Sequence, residues 1–400
     1  ARKKNPMKIL INGAGIAGTA LAFWLSRLGH ELTLVERAPR PREGGFVVNL
    51  WGLGYDAVER MGLLPQLLAL QHVGEELRMV DSRGRTRGGY PARVLLELAK
   101  GRLASLARSD IAATVYAALD DRVETVFGDS VRAIQDTGTR VQVEFEQAAA
   151  REFDLVIGAD GLHSRVRELA FGPKAQFEHA LGGHVASWEV RGYRPREEGV
   201  YLAYSAPGRY IARCPLRDDR MLFYALIRNE HLKGAIPSSH EQRVAALHQA
   251  LTGHGWECDA ILATLAQTET VYFDSISQIR MDRWVDGRVA LIGDAASCPS
   301  LIAGEGAGLA LTQAYVLAGE LHRHAGDSTI ALAQYQARLQ SMIAHKQKLA
   351  EGFVGSFVPT TALGVRLRDY ATLLMRLPVF PKLLMGRYFE KRMALPEYGI

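Results

Sequence analysis

An α/β fold with an inserted antiparallel sheet and a helical C-terminal segment is predicted by three observations on the 400-residue sequence. The first 36 residues hold an apolar strand, a glycine-rich turn, a helix pattern and a second strand. Between about 180 and 285, short runs of period-two alternation are separated by Gly, Pro and Asp turns. From 329 to 390 the apolar spacing is helical, interrupted at Pro359, Pro378 and Pro381.

The elements follow in order. Lys8 to Ile11 is a short apolar strand that runs straight into Asn12-Gly13-Ala14-Gly15-Ile16-Ala17-Gly18. Thr19 to Leu28 carries a helix pattern that stops at Gly29, a residue free to adopt the left-handed backbone at a helix end. Glu31 to Glu36, with Leu32, Leu34 and Val35, completes a βαβ unit of ordinary length. A Pro/Gly-rich loop over 39–54 precedes a helix around Tyr55 to Met61. Segment 77–145 alternates strands with one helix, Asp110 to Leu119, and Phe153 to Gly158 is another buried strand. The inserted strands are Val185–Val190, Val200–Tyr204, Tyr210–Cys214 and Met221–Ile227, followed by a helix from Glu241 to Leu251. Gly287 to Asp294 reads as the first domain resuming, with a glycine-rich turn and a helix to about Leu321. The expected division is 7–178 and 286–345 for one domain, 179–285 for the inserted sheet and 346–400 for the helical segment.

Composition bounds the function. An apolar fraction of 48% and a charged fraction of 23% are ordinary for a globular chain and exclude a disordered or fibrous one. The net charge is +5, and three of the positives (Arg2, Lys3, Lys4) precede Met7, which reads as a native start. The remaining +2 is too small to argue for nucleic acid or an anionic membrane as a partner. Cys214, Cys258 and Cys298 are odd in number and contain no Cys-x-x-Cys pair, so a reducing, cytoplasmic setting is expected. The most apolar long stretch, Ser300 to Leu321, contains Glu305 and four glycines and makes a poor membrane span.

The strongest motif is Gly13-x-Gly15-x-x-Gly18, set between a strand and a helix in Rossmann fashion. Gly13 permits the tight turn, Gly15 lets a pyrophosphate approach the backbone, and Gly18 lets the helix pack on the sheet. Ile16 and Ala17 open the helix, whose free N–H groups and positive dipole end suit phosphate. Glu36 ends the second strand, where a carboxylate can accept hydrogen bonds from ribose hydroxyls. Arg37 beside it would pack near the adenine or lie in solvent. This motif alone leaves NAD and FAD open.

Two later segments carry a resemblance. Asp154-Leu-Val-Ile-Gly158-Ala-Asp160-Gly161-Leu-His-Ser164-Arg165-Val-Arg167 resembles the Asp-Gly motif of class A flavoprotein monooxygenases, the para-hydroxybenzoate hydroxylase-like family. Gly287-Arg-Val-Ala-Leu-Ile-Gly293-Asp294-Ala295-Ala296 resembles the same family's Gly-Asp motif. The three fingerprints occur in the family's order and cover about residues 8–320. The resemblance implies a Rossmann-type FAD-binding domain with an inserted antiparallel-sheet substrate domain and a C-terminal helical segment. It implies FAD as cofactor and NADPH or NADH as transient co-substrate, docking without a second glycine motif of its own. It places Asp294 on a ribityl hydroxyl, Asp160 near the pyrophosphate and passing nicotinamide, and Arg108 against FAD. Gly293 and the turn Gly304-Glu305-Gly306-Ala307-Gly308 would bring a helix N-terminus to the N1–C2 edge of the flavin, where the reduced ring is negative.

The implied reaction is hydroxylation of an electron-rich aromatic or enolic small molecule by O2 through a flavin hydroperoxide, with no catalytic side-chain nucleophile and no metal. A dehydrogenase or reductase sharing the FAD motifs is the alternative. The chain departs from the family at Ser297, where histidine is frequent, at Glu305 and Gly308 in place of Gly-Gln-Gly-x-Asn, and at Gln313 in place of an acid. Its run from Gly306 to Leu321, with the long helical C-terminus, resembles the branch of tetracycline-inactivating and polyketide-tailoring monooxygenases, hence an expected role in antibiotic resistance. His184, Trp188, Tyr204, Arg213 and Tyr224, on the alternating strands, are the candidate substrate contacts, with Arg213 preferred because it interrupts an apolar strand. A monomer or weak homodimer is expected.

Overall fold

The structure, a computed structural model, describes residues 6–41, 46–72, 74–232, 236–325, 327–390 and 393–400. Its first sheet has six strands in the order Val285–Asp286, Val289–Leu291, Leu155–Gly158, Lys8–Asn12, Glu31–Glu36 and Glu124–Phe127. All neighbours are parallel except the edge pair 285–286 with 289–291. Ile9, Leu10, Ile11, Leu155, Val156 and Ile157 are all fully buried, as expected of strands covered on both faces. The helices Ile16–Arg27 and Gly306–Arg323 pack on one another, with the rings of Trp24 and Tyr315 5.2 Å apart.

The second sheet has seven strands, in the order Tyr272–Ile279, Glu178–Arg191, Arg220–Arg228, Arg209–Pro215, Val200–Ala206, Glu76–Val80 and Thr86–Pro91. It is wider than the insertion read from the sequence. Strands 76–80 and 86–91, assigned there to the nucleotide domain, join it through a parallel pairing of Val200–Tyr204 with Glu76–Val80. The boundary at 178 therefore divides the chain but not the sheet.

Both faces of this sheet are covered, which decides where its side chains can act. The outer face carries Trp188, Val190, Leu202, Tyr204, Ile211 and Phe223, packed with residues of the helices His240–Leu251 and Cys258–Ala263. The inner face carries Val185, Ala203, Tyr210, Ala212, Leu226 and Ile276, packed with Phe46, Leu301, Ile302, Val354 and Val358.

The C-terminal helices are Ser328–Phe357, Ala362–Leu374 and Phe380–Phe389. The 30-residue first of them runs through position 345, so no structural break separates the expected second part of the nucleotide domain from the helical segment. The chain then returns to the main core with Leu395 and Tyr398. Among the described residues no helix is long and apolar enough to cross a membrane.

Candidate active site

The glycine turn shows three different demands at its three glycines. Gly13 has φ +112°, and a Cβ there would stand 2.5 Å from the Ala159 carbonyl oxygen. A Cβ at Gly18 would lie 1.8 Å from the Gly13 carbonyl oxygen, so this position is fixed by the packing of turn on helix. Gly15 differs: its φ of −77° suits any residue, and a Cβ would meet nothing within 4 Å. Its side is open to a ligand. Ile16, Ala17 and Gly18 begin the helix with no side-chain cap and no acid in the first turn, leaving N–H groups directed at that opening.

Glu36 ends its strand beside the turn, accepting from Ala14 N at 2.9 Å and from Ala38 N at 3.0 Å. Arg37 points to solvent. Asp160 is the most heavily engaged of the predicted residues. Its carboxylate accepts from Asn12 Nδ2 at 3.0 Å, Ser164 Oγ, Arg165 N at 2.7 Å and Val166 N at 3.1 Å. Burial pushes this carboxyl up, against the downward pull of those donors. It thus ties the first strand to the N-terminus of the helix Arg165–Phe171.

The second half of the site comes from residues 293–308. Gly293, at φ +64°, starts a short helical turn, Asp294–Ser297, and donates its N–H to Gln313 Oε1 at 3.0 Å. Asp294 faces the next helix: a Cβ at Gly306 would be 3.5 Å from its Oδ1. Desolvation raises the Asp294 carboxyl above the usual range, opposed by the positive charge of Arg108 and the Cys298 thiol. Arg108 is exposed at the start of the helix Arg108–Ala117, and its N–H bonds the Phe46 carbonyl oxygen at 2.9 Å. Gly304, at φ +65°, closes the short turn Leu301–Ala303, and Gly306, Ala307 and Gly308 open the long helix without a side-chain cap. Two buried glutamines hold this loop. Gln278 donates to Pro299 O at 3.0 Å and Gln347 to Cys298 O at 3.1 Å, joining it to the seven-stranded sheet and the helix Ser328–Phe357.

These residues fit the expected FAD. The observations are an open backbone at Gly15, two uncapped helix N-termini and a carboxylate beside the second of them. Gly13, Gly15, Ile16, Ala17, Gly18, Glu36 and Asp294 come together with Gly293, Gly304, Gly306 and Ala307 along one edge of the parallel sheet, the carboxyl ends of its strands.

The substrate candidates divide by sheet face. Tyr224 lies on the inner face, its hydroxyl 3.1 Å from that of Tyr210, beneath Phe357. His184, Trp188, Tyr204 and Arg213 lie on the outer face and do not line this wall. Trp188 donates to Thr264 Oγ1 at 2.9 Å, Tyr204 to His254 O at 2.7 Å, and His184 stacks near Phe273. Arg213, 1% exposed, pairs with Glu257 at 3.0 Å. Trp188, Tyr204 and Arg213 fasten the outer segment 254–264 to the sheet. Arg213→Met should therefore leave Glu257 poorly compensated and cost about 3–5 kcal/mol in urea unfolding. Substrate KM of the folded fraction should stay at the parent value.

Sequence reasoning missed Phe46, Tyr210, Tyr272 and Phe357 on the inner wall. Phe46 meets Tyr272 edge-on at 5.2 Å, and Tyr210 lies 5.7 Å from Phe357. Strand parity was the available signal, since Tyr210 shares its face with Tyr224 across the antiparallel pair. From Tyr272 a hydrogen-bonded run leads outward: its hydroxyl donates to Asp274 Oδ2 at 3.3 Å, and His163 Nε2 meets the same oxygen at 2.8 Å. Burial raises the Asp274 carboxyl, but His163, the Ser275 N–H and the charge of Lys174 together outweigh it and hold the group below the usual range. Lys346 was missed too. It bonds Glu305 Oε1 at 2.7 Å and Tyr388 O at 2.8 Å, and burial pushes Glu305 up to about 7 despite that partner. The glutamate in place of the family's glutamine was its signal, because a buried acid calls for a buried cation.

Comparison with known proteins agrees with this geometry. Residues 6–343 match the family model described as FAD binding domain. An uncharacterized protein of Mycobacterium tuberculosis is 36% identical over 368 residues, covering 88% of this chain and 94% of its own. The FAD-dependent monooxygenase asL4 of Sarocladium schorii is 30% identical over 370 residues, covering 88% and 84%. The crystal structure of tetracycline destructase Tet(55) superposes with a TM-score of 0.83 at 27% identity, covering 98% of this chain and 99% of that one.

Proposed function

The chain belongs to the FAD binding domain family and is an FAD-dependent monooxygenase; from that premise we propose that it hydroxylates a polycyclic aromatic or enolic small molecule with NAD(P)H and O2. The observation that carries the substrate class is the inner wall. Phe46, Tyr210, Tyr224, Tyr272 and Phe357 form an aromatic surface between the sheet and the C-terminal helix, beside Arg108 and the 298–304 loop. Such a surface stacks flat, conjugated rings and excludes water, while its hydroxyls orient polar substituents. Likeness to a tetracycline destructase supports a tetracycline-like polycycle.

When bound, FAD supplies hydride acceptance from the nicotinamide and activation of O2. The residues supply the rest. Gly15 and the first helix N-terminus hold the pyrophosphate, Glu36 the adenosine ribose, and Asp294 a ribityl hydroxyl. Arg108 stands at the rim of the same cleft. The uncapped helix start at Gly306 and Ala307 would favour a negatively charged edge of that ring. Tyr272, Asp274 and His163 offer the substrate's departing proton a route to solvent.

The test is NAD(P)H oxidation by the FAD-loaded protein with tetracycline-type and simple phenolic compounds, followed by product mass. Stimulation by the polycycle, with one oxygen atom gained, is the expected outcome. Stimulated oxidation without oxygen gain would favour the reductase reading instead.

A further inference from the structure

Eight of the twelve large apolar side chains that stand exposed among the described residues fall between Leu363 and Leu384. Leu363, Leu367, Tyr370 and Leu374 follow the four-three-four spacing of one helix face on Ala362–Leu374. The opposite face is docked, and apart from the buried Val365 its contacts are polar. Arg368 donates to Ser205 Oγ at 2.7 Å and to Phe357 O at 2.9 Å, Asp369 is buried beside it, and Thr372 Oγ1 accepts from Gly89 N at 2.7 Å. Gly88 allows the close approach, since a Cβ there would stand 2.5 Å from Asp369 O. This helix is amphipathic in reverse, with its polar face inward, so packing within the chain gives no reason for the leucines. Leu377, Val379, Leu383 and Leu384 continue the apolar surface onto the next helix, which packs on Arg93–Leu98, where Leu96 is exposed as well.

The charge around this surface selects its partner. Arg366, Lys382 and Arg387 are exposed on the same two helices, and Glu390 is the single exposed acid among residues 361–390. Two copies joined through this face about a two-fold axis would crowd like charges together. A layer of anionic headgroups would neutralise them while the leucines and Tyr370 enter the acyl boundary. We propose that the outward face of helices 362–374 and 380–389 docks on an anionic lipid bilayer, parallel to its plane.

The FAD-loaded full chain, mixed with vesicles of phosphatidylcholine alone or with added phosphatidylglycerol, should sediment with the second and lose that binding as salt is raised. The pair Leu367→Glu and Leu383→Glu should abolish it. The pair Arg366→Gln and Lys382→Gln should weaken it about 30-fold. Both pairs should keep the parent's flavin absorbance and melting temperature, because all four side chains stand in solvent. Binding to neither vesicle, or equally to both, overturns the proposal. So does a dimer in sedimentation velocity that the leucine pair dissolves without any vesicle binding, which would make the face an interface between copies.

Discussion

Gly15→Val yields a protein that unfolds at the parent's urea midpoint but binds FAD at least about 30-fold more weakly. Its backbone already sits at φ −77°, and the new side chain meets no protein atom at Cβ. Only an approaching pyrophosphate would strike it, a misfit worth about 2 kcal/mol or more. Gly18→Ala supplies the contrast. Its Cβ would lie 1.8 Å from the Gly13 carbonyl, so it should cost about 3 kcal/mol of stability before any cofactor is added. FAD titration of the two variants, with unfolding curves in its absence, separates the effects. Full FAD affinity in Gly15→Val would remove the turn from the site.

Lys346→Met is the second large effect, and it depends on pH. Glu305 is 7% exposed at the entrance to the Gly306–Arg323 helix, and its second oxygen has no partner among the described residues. Lys346 also lies over the Trp51 ring at 4.6 Å, so one cation joins three segments of the chain. With the lysine gone, an ionised Glu305 is buried alone, at a cost of about 3–5 kcal/mol at pH 8. Toward pH 5 the acid takes up a proton and the cost shrinks. The parent shows a weaker form of the same trend. Its Glu305 titrates at about 7, above the ordinary 4.5, so protonation favours the folded state. That contribution is complete below about 4.5 and disappears as pH rises through 7. Melting curves at pH 5 and 8 for the parent, Lys346→Met and Glu305→Gln check this. A cost that ignores pH would mean that Glu305 carries no charge there.

Local features were legible in the sequence. The turn at Gly13 to Gly18 is specified within one βαβ unit, so spacing alone placed its strand, helix and acid. The strands of the inserted sheet were legible as strands, but their faces were not. Alternation fixes which residues share a side and leaves open which side looks inward. Here both sides are buried, and the residue that broke the apolar pattern, Arg213, did so because its partner, Glu257, stands at the start of a helix packed outside. The membership of strands 76–80 and 86–91 was hidden for a similar reason, since pairing partners distant in sequence leave no local mark. The helix at 362–374 was legible as a helix, but which of its faces docks was not. A helical pattern announces an apolar face without saying whether that face is docked, and the expectation of no membrane partner rested on the small net charge and the poor span at Ser300 to Leu321.

The cofactor cleft draws its two halves from segments far apart in the chain, and this orders events during synthesis. The glycine turn is made long before strands 155–158 and 289–291 of the same sheet and the helix beginning at Gly306. Until the segment from Gly293 to Gly308 has emerged, the nascent turn has no second wall. A stalled fragment ending before residue 293 would lack both Asp294 and the second helix N-terminus. FAD capture is therefore a late event for this chain, and free flavin would act as a ligand of the finished fold rather than a seed for it.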